Sequence, residues 1–128
     1  MTLNELTHNI IGAAINVHKT LGPGLLESAY EFSLAHELRK LEVTVEQQKP
    51  IPLVYDGQKL ECGFRADLLV DHRVIVECKS KEALHPIDTA QVISHLRLLS
   101  LQVGLLINFN VVVLKDGIKR IVNDYRGP

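Results

Sequence analysis

Basic charge is not in excess in this chain. Fourteen Lys and Arg stand against 15 Asp and Glu, a formal net charge of −1. High-affinity nucleic-acid binders usually carry a strong positive balance, so the charge lowers the expectation of such a partner. It does not exclude one, because a metal bound at an acidic site would change the local sign. Cysteine is scarce: Cys62 and Cys78 alone occur, each inside strand-like sequence, and both read as reduced, buried thiols of a cytosolic protein. His8, His18, His36, His72 and His85 lack paired metal-ligand spacing and there is no C-x-x-C, which argues against zinc. No apolar run reaches the roughly 18 residues of a membrane span. The start, Met1-Thr2-Leu3-Asn4-Glu5, has neither the basic region nor the apolar stretch of a secretory signal. A cytoplasmic protein without membrane contact is therefore expected. Walker-type loops, a Rossmann fingerprint and a nucleophile elbow are also missing.

What is present suits one globular domain over residues 1–128, with 46% hydrophobic and 23% charged residues. Thr2-Leu3-Asn4-Glu5 matches a capping box, and Leu6, Ile10, Ala13, Val17 and Leu21 follow at helical spacing. Gly22-Pro23-Gly24 stops that helix. A second helix is predicted from Leu25 to about Leu41, with Leu26, Tyr30, Leu34 and Leu38 apolar. From Val43 the period becomes that of strands. The turn Asp56-Gly57 predicts a hairpin, and Pro50 and Pro52 mark its first strand as an edge. The return strand is expected over Lys59–Val70 and a third over Val74–Lys79. Pro86 suits the first turn of a helix running to about Leu101, with Ala90, Ile93 and Leu96 inward. Val103-Gly104-Leu105-Leu106-Ile107-Asn108-Phe109 reads as a strand buried on both faces. A last hairpin is predicted from Val111–Leu114 and Ile118–Val122 around Asp116-Gly117. The order predicts a mixed sheet with helices on both faces and a βαβ unit around the third helix.

The chemistry concentrates where charge interrupts apolar strands. Asp67 lies in Phe64-Arg65-Ala66-Asp67-Leu68-Leu69-Val70, and Glu77 and Lys79 lie in Val74-Ile75-Val76-Glu77-Cys78-Lys79. Charges in such runs need partners or a metal. Two carboxylates supply hard oxygen ligands for Mg²⁺, and a lysine can orient water and neutralise charge at phosphorus. Alternation puts Ala66 and Leu68 on a core face with Asp67 turned away, and Glu77 with Lys79 on one side of the next strand. A three-residue loop at Asp71–Arg73 would set Asp67 opposite Glu77. A two-residue loop would put the carboxylates on opposite faces. The bland alternative is a structural salt bridge from Asp67 to Arg65 or Lys79.

Gly24-Leu25-Leu26-Glu27-Ser28-Ala29-Tyr30 is a G-x-x-E-x-x-Y string, and Gln91-Val92-Ile93-Ser94-His95 lies on the third helix. With Asp67, Glu77 and Lys79, the chain from Leu6 to about Val122 resembles the GxxExxY protein family of the PD-(D/E)XK nuclease superfamily. The resemblance implies an α/β (α+β) restriction-endonuclease-like αβββαβ core, with a mixed central sheet flanked by helices, an extra N-terminal helix and a C-terminal β-hairpin. It implies Asp67, Glu77 and the backbone carbonyl of Cys78 as ligands of Mg²⁺ or Mn²⁺, and Lys79 as the catalytic lysine. Glu27 would complete the acidic site or support a second metal. Gln91 would begin a Q-h-x-x-Y-like string in which His95 stands in place of Tyr. The implied activity is phosphodiester hydrolysis, of DNA in preference to RNA. The alternative is a catalytically silent module of the same fold that binds nucleic acid or a protein partner. A homodimer is the expected assembly, since so small a nuclease offers little surface for gripping a duplex.

Overall fold

The chain is described by a computed structural model covering residues 1–61 and 63–127; the expectation for Cys62 falls outside the described residues. Helix α1 spans Leu3–Leu21 and opens on the capping box, Thr2 and Glu5 each taking the other's backbone N–H. It ends at Gly22, whose φ of 69° suits a glycine. Helix α2 follows at Glu27–Arg39. Strands β1 (Val45–Pro50), β2 (Leu53–Tyr55), β3 (Gln58–Leu60), β4 (Arg65–Val70) and β5 (Val74–Lys79) come next, then α3 (Pro86–Leu99), β6 (Val103–Asn108) and β7 (Ile118–Val122).

Five strands form one mixed sheet in the order β1-β4-β5-β6-β7. Among the described residues only β5 and β6 run parallel, joined through α3, the βαβ unit expected from sequence. Strand β1 is the edge that Pro50 and Pro52 announced, and every residue of β6 is buried. One face of the sheet packs against α1 and α2 through Leu68, Val70, Val76, Cys78 and Ile107. The other packs against α3 through Ala66, Leu69, Ile75 and Leu106. This is the mixed, helix-flanked arrangement of a restriction-endonuclease-like fold.

Four local expectations change. The predicted long hairpin is interrupted: β1 pairs with β4, while β2 and β3 form a separate two-stranded sheet around Asp56-Gly57. Pro50 at the end of β1 and Pro52 just before β2 remove ladder donors where the chain bends away. Val111–Leu114 is not a strand. Leu114–Gly117 is a 3₁₀ turn, and β7 pairs directly with β6. On α3 Leu96 is buried and Ile93 packs partly buried against the core as expected, but Val92 joins them and Ala90 is exposed. Finally, Ala66 and Leu68 do not share a face, since they join opposite core layers. Alternation breaks at Asp67, where Gln48 on the neighbouring strand adopts a left-handed φ of 51°.

Candidate active site

The loop between β4 and β5 contains three residues, Asp71, His72 and Arg73, with Asp71 and His72 both at positive φ. The resulting register pairs Val70 with Val74, Leu69 with Ile75 and Leu68 with Val76. The next opposed positions are Asp67 and Glu77, and there the ladder stops. Side chains replace the lost backbone bonds. Cys78 N–H donates to Asp67 Oδ2 at 2.8 Å, and Asp67 N–H donates to Glu77 Oε1 at 3.3 Å. Such substitution is what an opened strand pair needs, because buried backbone donors are costly to leave unpaired. Asp67 is joined by no ion pair to Arg65 or Lys79 among the described residues. Arg65 instead donates to the Gln48 carbonyl at 3.2 Å.

Glu77 is only 7% exposed. Burial pushes its carboxyl above the ordinary glutamate range, and the Asp67 charge adds to the rise against the opposing influence of His95. His95 Nδ1 lies 3.6 Å from Glu77 Oε1 and is buried without a hydrogen-bond partner. The Cys78 thiol, also buried, is pushed well above its usual value first by burial and then by Asp67, Glu77, Glu31 and Glu27. It is held as an inert thiol.

Lys79 is half-buried at the end of β5, two residues beyond Glu77. Its surroundings fix its backbone from several sides. Phe109 N–H donates to the Lys79 carbonyl at 2.9 Å. Ser80 Oγ donates to the Leu25 carbonyl at 2.6 Å, and Ser80 N–H reaches Glu27 Oε1 at 3.4 Å. Lys81 exchanges bonds with the Asn108 side chain at 3.2 and 3.0 Å, and its ammonium pairs with buried Asp88 at 3.0 Å. Burial works to raise the Asp88 carboxyl, but the His85 N–H and the Lys81 ammonium outweigh it and hold the group low.

The G-x-x-E-x-x-Y string explains how Glu27 arrives. Tyr30 is fully buried and stacks on Phe109 at 4.4 Å. Its hydroxyl donates to the Gly22 carbonyl at 2.6 Å and accepts from Leu25 N–H at 3.1 Å. The tyrosine thus clamps the glycine turn, which sets the first turn of α2 against the end of β5.

The family model of the PD-(D/E)XK nuclease superfamily matches residues 4–121. The chain belongs to this superfamily. No curated protein and no solved structure matches it. PD-(D/E)XK nucleases typically use divalent metals, and the donors at the fork suit one: they are hard oxygens, partly buried, within a cluster of negative charge. Among the described residues no three His, Cys, Asp or Glu side chains are gathered tightly enough to hold a metal ion. Glu27 is thus close to the fork through Ser80 but is not grouped with Asp67 and Glu77. Gln91 lies on α3, where it lines a cleft with His95.

Two further polar residues stand at the fork, Gln48 and Glu31. Gln48 Nε2 donates to Glu31 Oε1 at 2.6 Å and to Asp67 Oδ1 at 3.3 Å. Glu31 also accepts from Gln47 at 3.2 Å. Its signal was available, because it follows Glu27 by four residues on one helical face. Gln48 gave none, because its place opposite Asp67 depends on the pairing of β1 with β4.

Proposed function

We propose that this chain is a metal-dependent nuclease of the GxxExxY type, hydrolysing phosphodiester bonds of DNA in preference to RNA in the cytoplasm. The observation that carries the reading is the fork itself, with Asp67 and Glu77 facing each other where the β4–β5 ladder ends and Lys79 two residues on. Asp67 and Glu77, with the backbone carbonyl of Cys78, would hold Mg²⁺ or Mn²⁺. A bound dication supplies Lewis-acid polarisation and charge neutralisation at the phosphate. Lys79 orients the attacking water and stabilises the charge that develops at phosphorus. Glu27 positions the end of β5 through Ser80, and Gln91 meets the substrate from α3. One copy of so small a chain offers little surface for holding nucleic acid, and a homodimer would supply more.

The test is cleavage of single- and double-stranded DNA and RNA with Mg²⁺ or Mn²⁺, comparing the wild type with Lys79→Ala. Metal-dependent scission lost in the variant supports the reading. Indistinguishable proteins, with no thermal stabilisation by either metal, would instead identify a module that binds without cutting.

A further inference from the structure

A cavity of about 340 Å³ opens between α3 and the segment leading into β4. Its α3 wall is one helical stripe, Ile87, Ala90, Gln91, Ser94, His95 and Leu98, at spacings of three and four. Leu53 and Phe64 face that stripe. The size lies near the lower end of small-ligand pockets, which run from about 300 to 1,000 Å³, and suits one planar heterocycle. Phe64 is 42% exposed and Ile87 63% exposed. Exposure alone is ordinary, but these two side chains line the same cavity and offer a base an apolar surface there. Their wall carries Gln91, Ser94 and His95, whose amide, hydroxyl and imidazole can bond the edge of a heterocycle. Among the described residues no Lys or Arg lines the cavity, which disfavours a phosphate there. His95 joins the cavity to the fork, since the same ring lines the cleft and approaches Glu77 at 3.6 Å.

We propose that this cleft receives one unpaired nucleobase next to the scissile phosphate, so that the DNA of the reading above is taken as a single strand. The base stacks on Phe64 and Ile87, and its polar edge meets Gln91 and Ser94. Aromatic platforms hold single strands in this sequence-tolerant way. A paired base buried in a duplex could not enter. The proposal rests on the nuclease reading above, but the two can fail separately.

The chain contains no tryptophan, so Phe64→Trp introduces a single reporter. The binding experiment uses Ca²⁺ buffer, with a short single-stranded oligodeoxynucleotide, the same strand without bases, its duplex and the matching RNA. The expected result is emission quenched by the single strand but not by the base-free strand or the duplex. Phe64→Ala is expected to raise Kd by roughly five- to 150-fold, the usual effect of losing one stacked base. Ala90→Phe, at an exposed position, fills the cleft without touching the core and weakens binding similarly. Unchanged emission at saturation, or wild-type affinity in both Phe64→Ala and Ala90→Phe, would overturn the pocket. Tighter binding of RNA would overturn the assignment to DNA. Parallel cleavage assays with Mn²⁺ and Lys79→Ala separate the two readings. Quenching without any lysine-dependent cleavage keeps the pocket and sinks the nuclease reading. Cleavage without quenching does the reverse.

Discussion

Asp67 and Glu77 are tied crosswise at the point where β4 and β5 part. The Asp67 carboxylate takes the backbone N–H of Cys78, next to Glu77, and the Glu77 carboxylate takes the backbone N–H of Asp67. Each acid therefore finishes the other's strand while leaving two negative groups together. The arrangement trades electrostatic comfort for a preformed set of hard oxygens, a trade common at functional sites.

Glu77→Gln should relieve that conflict. The carboxyl of Glu77 titrates higher in the folded chain than in the unfolded one. Its folded form binds the proton more readily, so stability falls as pH rises from the unfolded value through the folded one. Gln cannot ionise, and its carbonyl can still accept from Asp67 N–H. In EDTA at neutral pH the variant should match or exceed the wild type, by up to ~2 kcal/mol. The difference should shrink as pH falls towards the ordinary glutamate range. Urea melts across pH measure this, and a variant less stable throughout would mark Glu77 as a structural brace.

Asp67→Asn should behave in the opposite way. Asp67 accepts from Cys78 N–H at one oxygen and from Gln48 Nε2 at the other. An amide offers one acceptor oxygen and turns an N–H against the second donor. Gln48 cannot simply reverse, since its Nε2 also serves Glu31 at 2.6 Å. Gln48 is exposed, so water can take the place of that contact, and the expected loss is about 0.5–1.5 kcal/mol, the net worth of one hydrogen bond. Thermal melts of the metal-free protein check it, and a neutral effect would show that the Gln48 contact carries no stability.

The sequence made the fork legible in one respect and hid it in another. Loop length between β4 and β5 decided whether the carboxylates met, and Asp71-His72-Arg73 could be read as three residues. The face of Ala66 could not be read, because strict alternation assumes an uninterrupted ladder, and this one ends at Leu68. The G-x-x-E-x-x-Y string was visible, but not why its tyrosine matters. That depends on Phe109, 79 residues later, against which Tyr30 stacks. The Lys81–Asp88–Asn108 support was hidden for the same reason: its members meet only after α3 has crossed the sheet. On α3, the periodic pattern marked Ala90 as core. Val92 takes that place beside the expected Leu96, and Ala90 and Gln91 line the cleft.

Tyr30→Phe isolates the clamp from the stack. The ring keeps its place against Phe109, but the Gly22 carbonyl loses a donor and Leu25 N–H loses an acceptor. A loss of about 1–3 kcal/mol is expected, with faster amide exchange at Leu25. Leu25 also accepts from Ser80, so cleavage should fall through loosening of the β5 end. Exchange confined to its wild-type rate at Leu25 would show that packing alone holds the turn.

Gly104→Ala tests how tightly α3 is seated. Gly104 sits in β6 under the helix, and a Cβ there would lie 2.7 Å from Val92 Cγ1 and 3.5 Å from Leu96 Cδ1. The Val92 contact is short enough to force a shift, while that with Leu96 is ordinary, and overpacking of this kind typically costs about 1–3 kcal/mol. Val92 immediately follows Gln91 and lies one turn before His95, so lifting the helix moves both relative to Glu77. The expected variant melts lower and loses activity beyond what its remaining folded fraction explains. Adding Val92→Ala opens space for the new methyl, and the double variant should recover stability relative to the sum of the singles. A double-mutant cycle on melting and cleavage measures that coupling. Additive effects would mean that the helix accommodates the methyl without pressing on Val92, and that its fit against β6 does not set the position of His95.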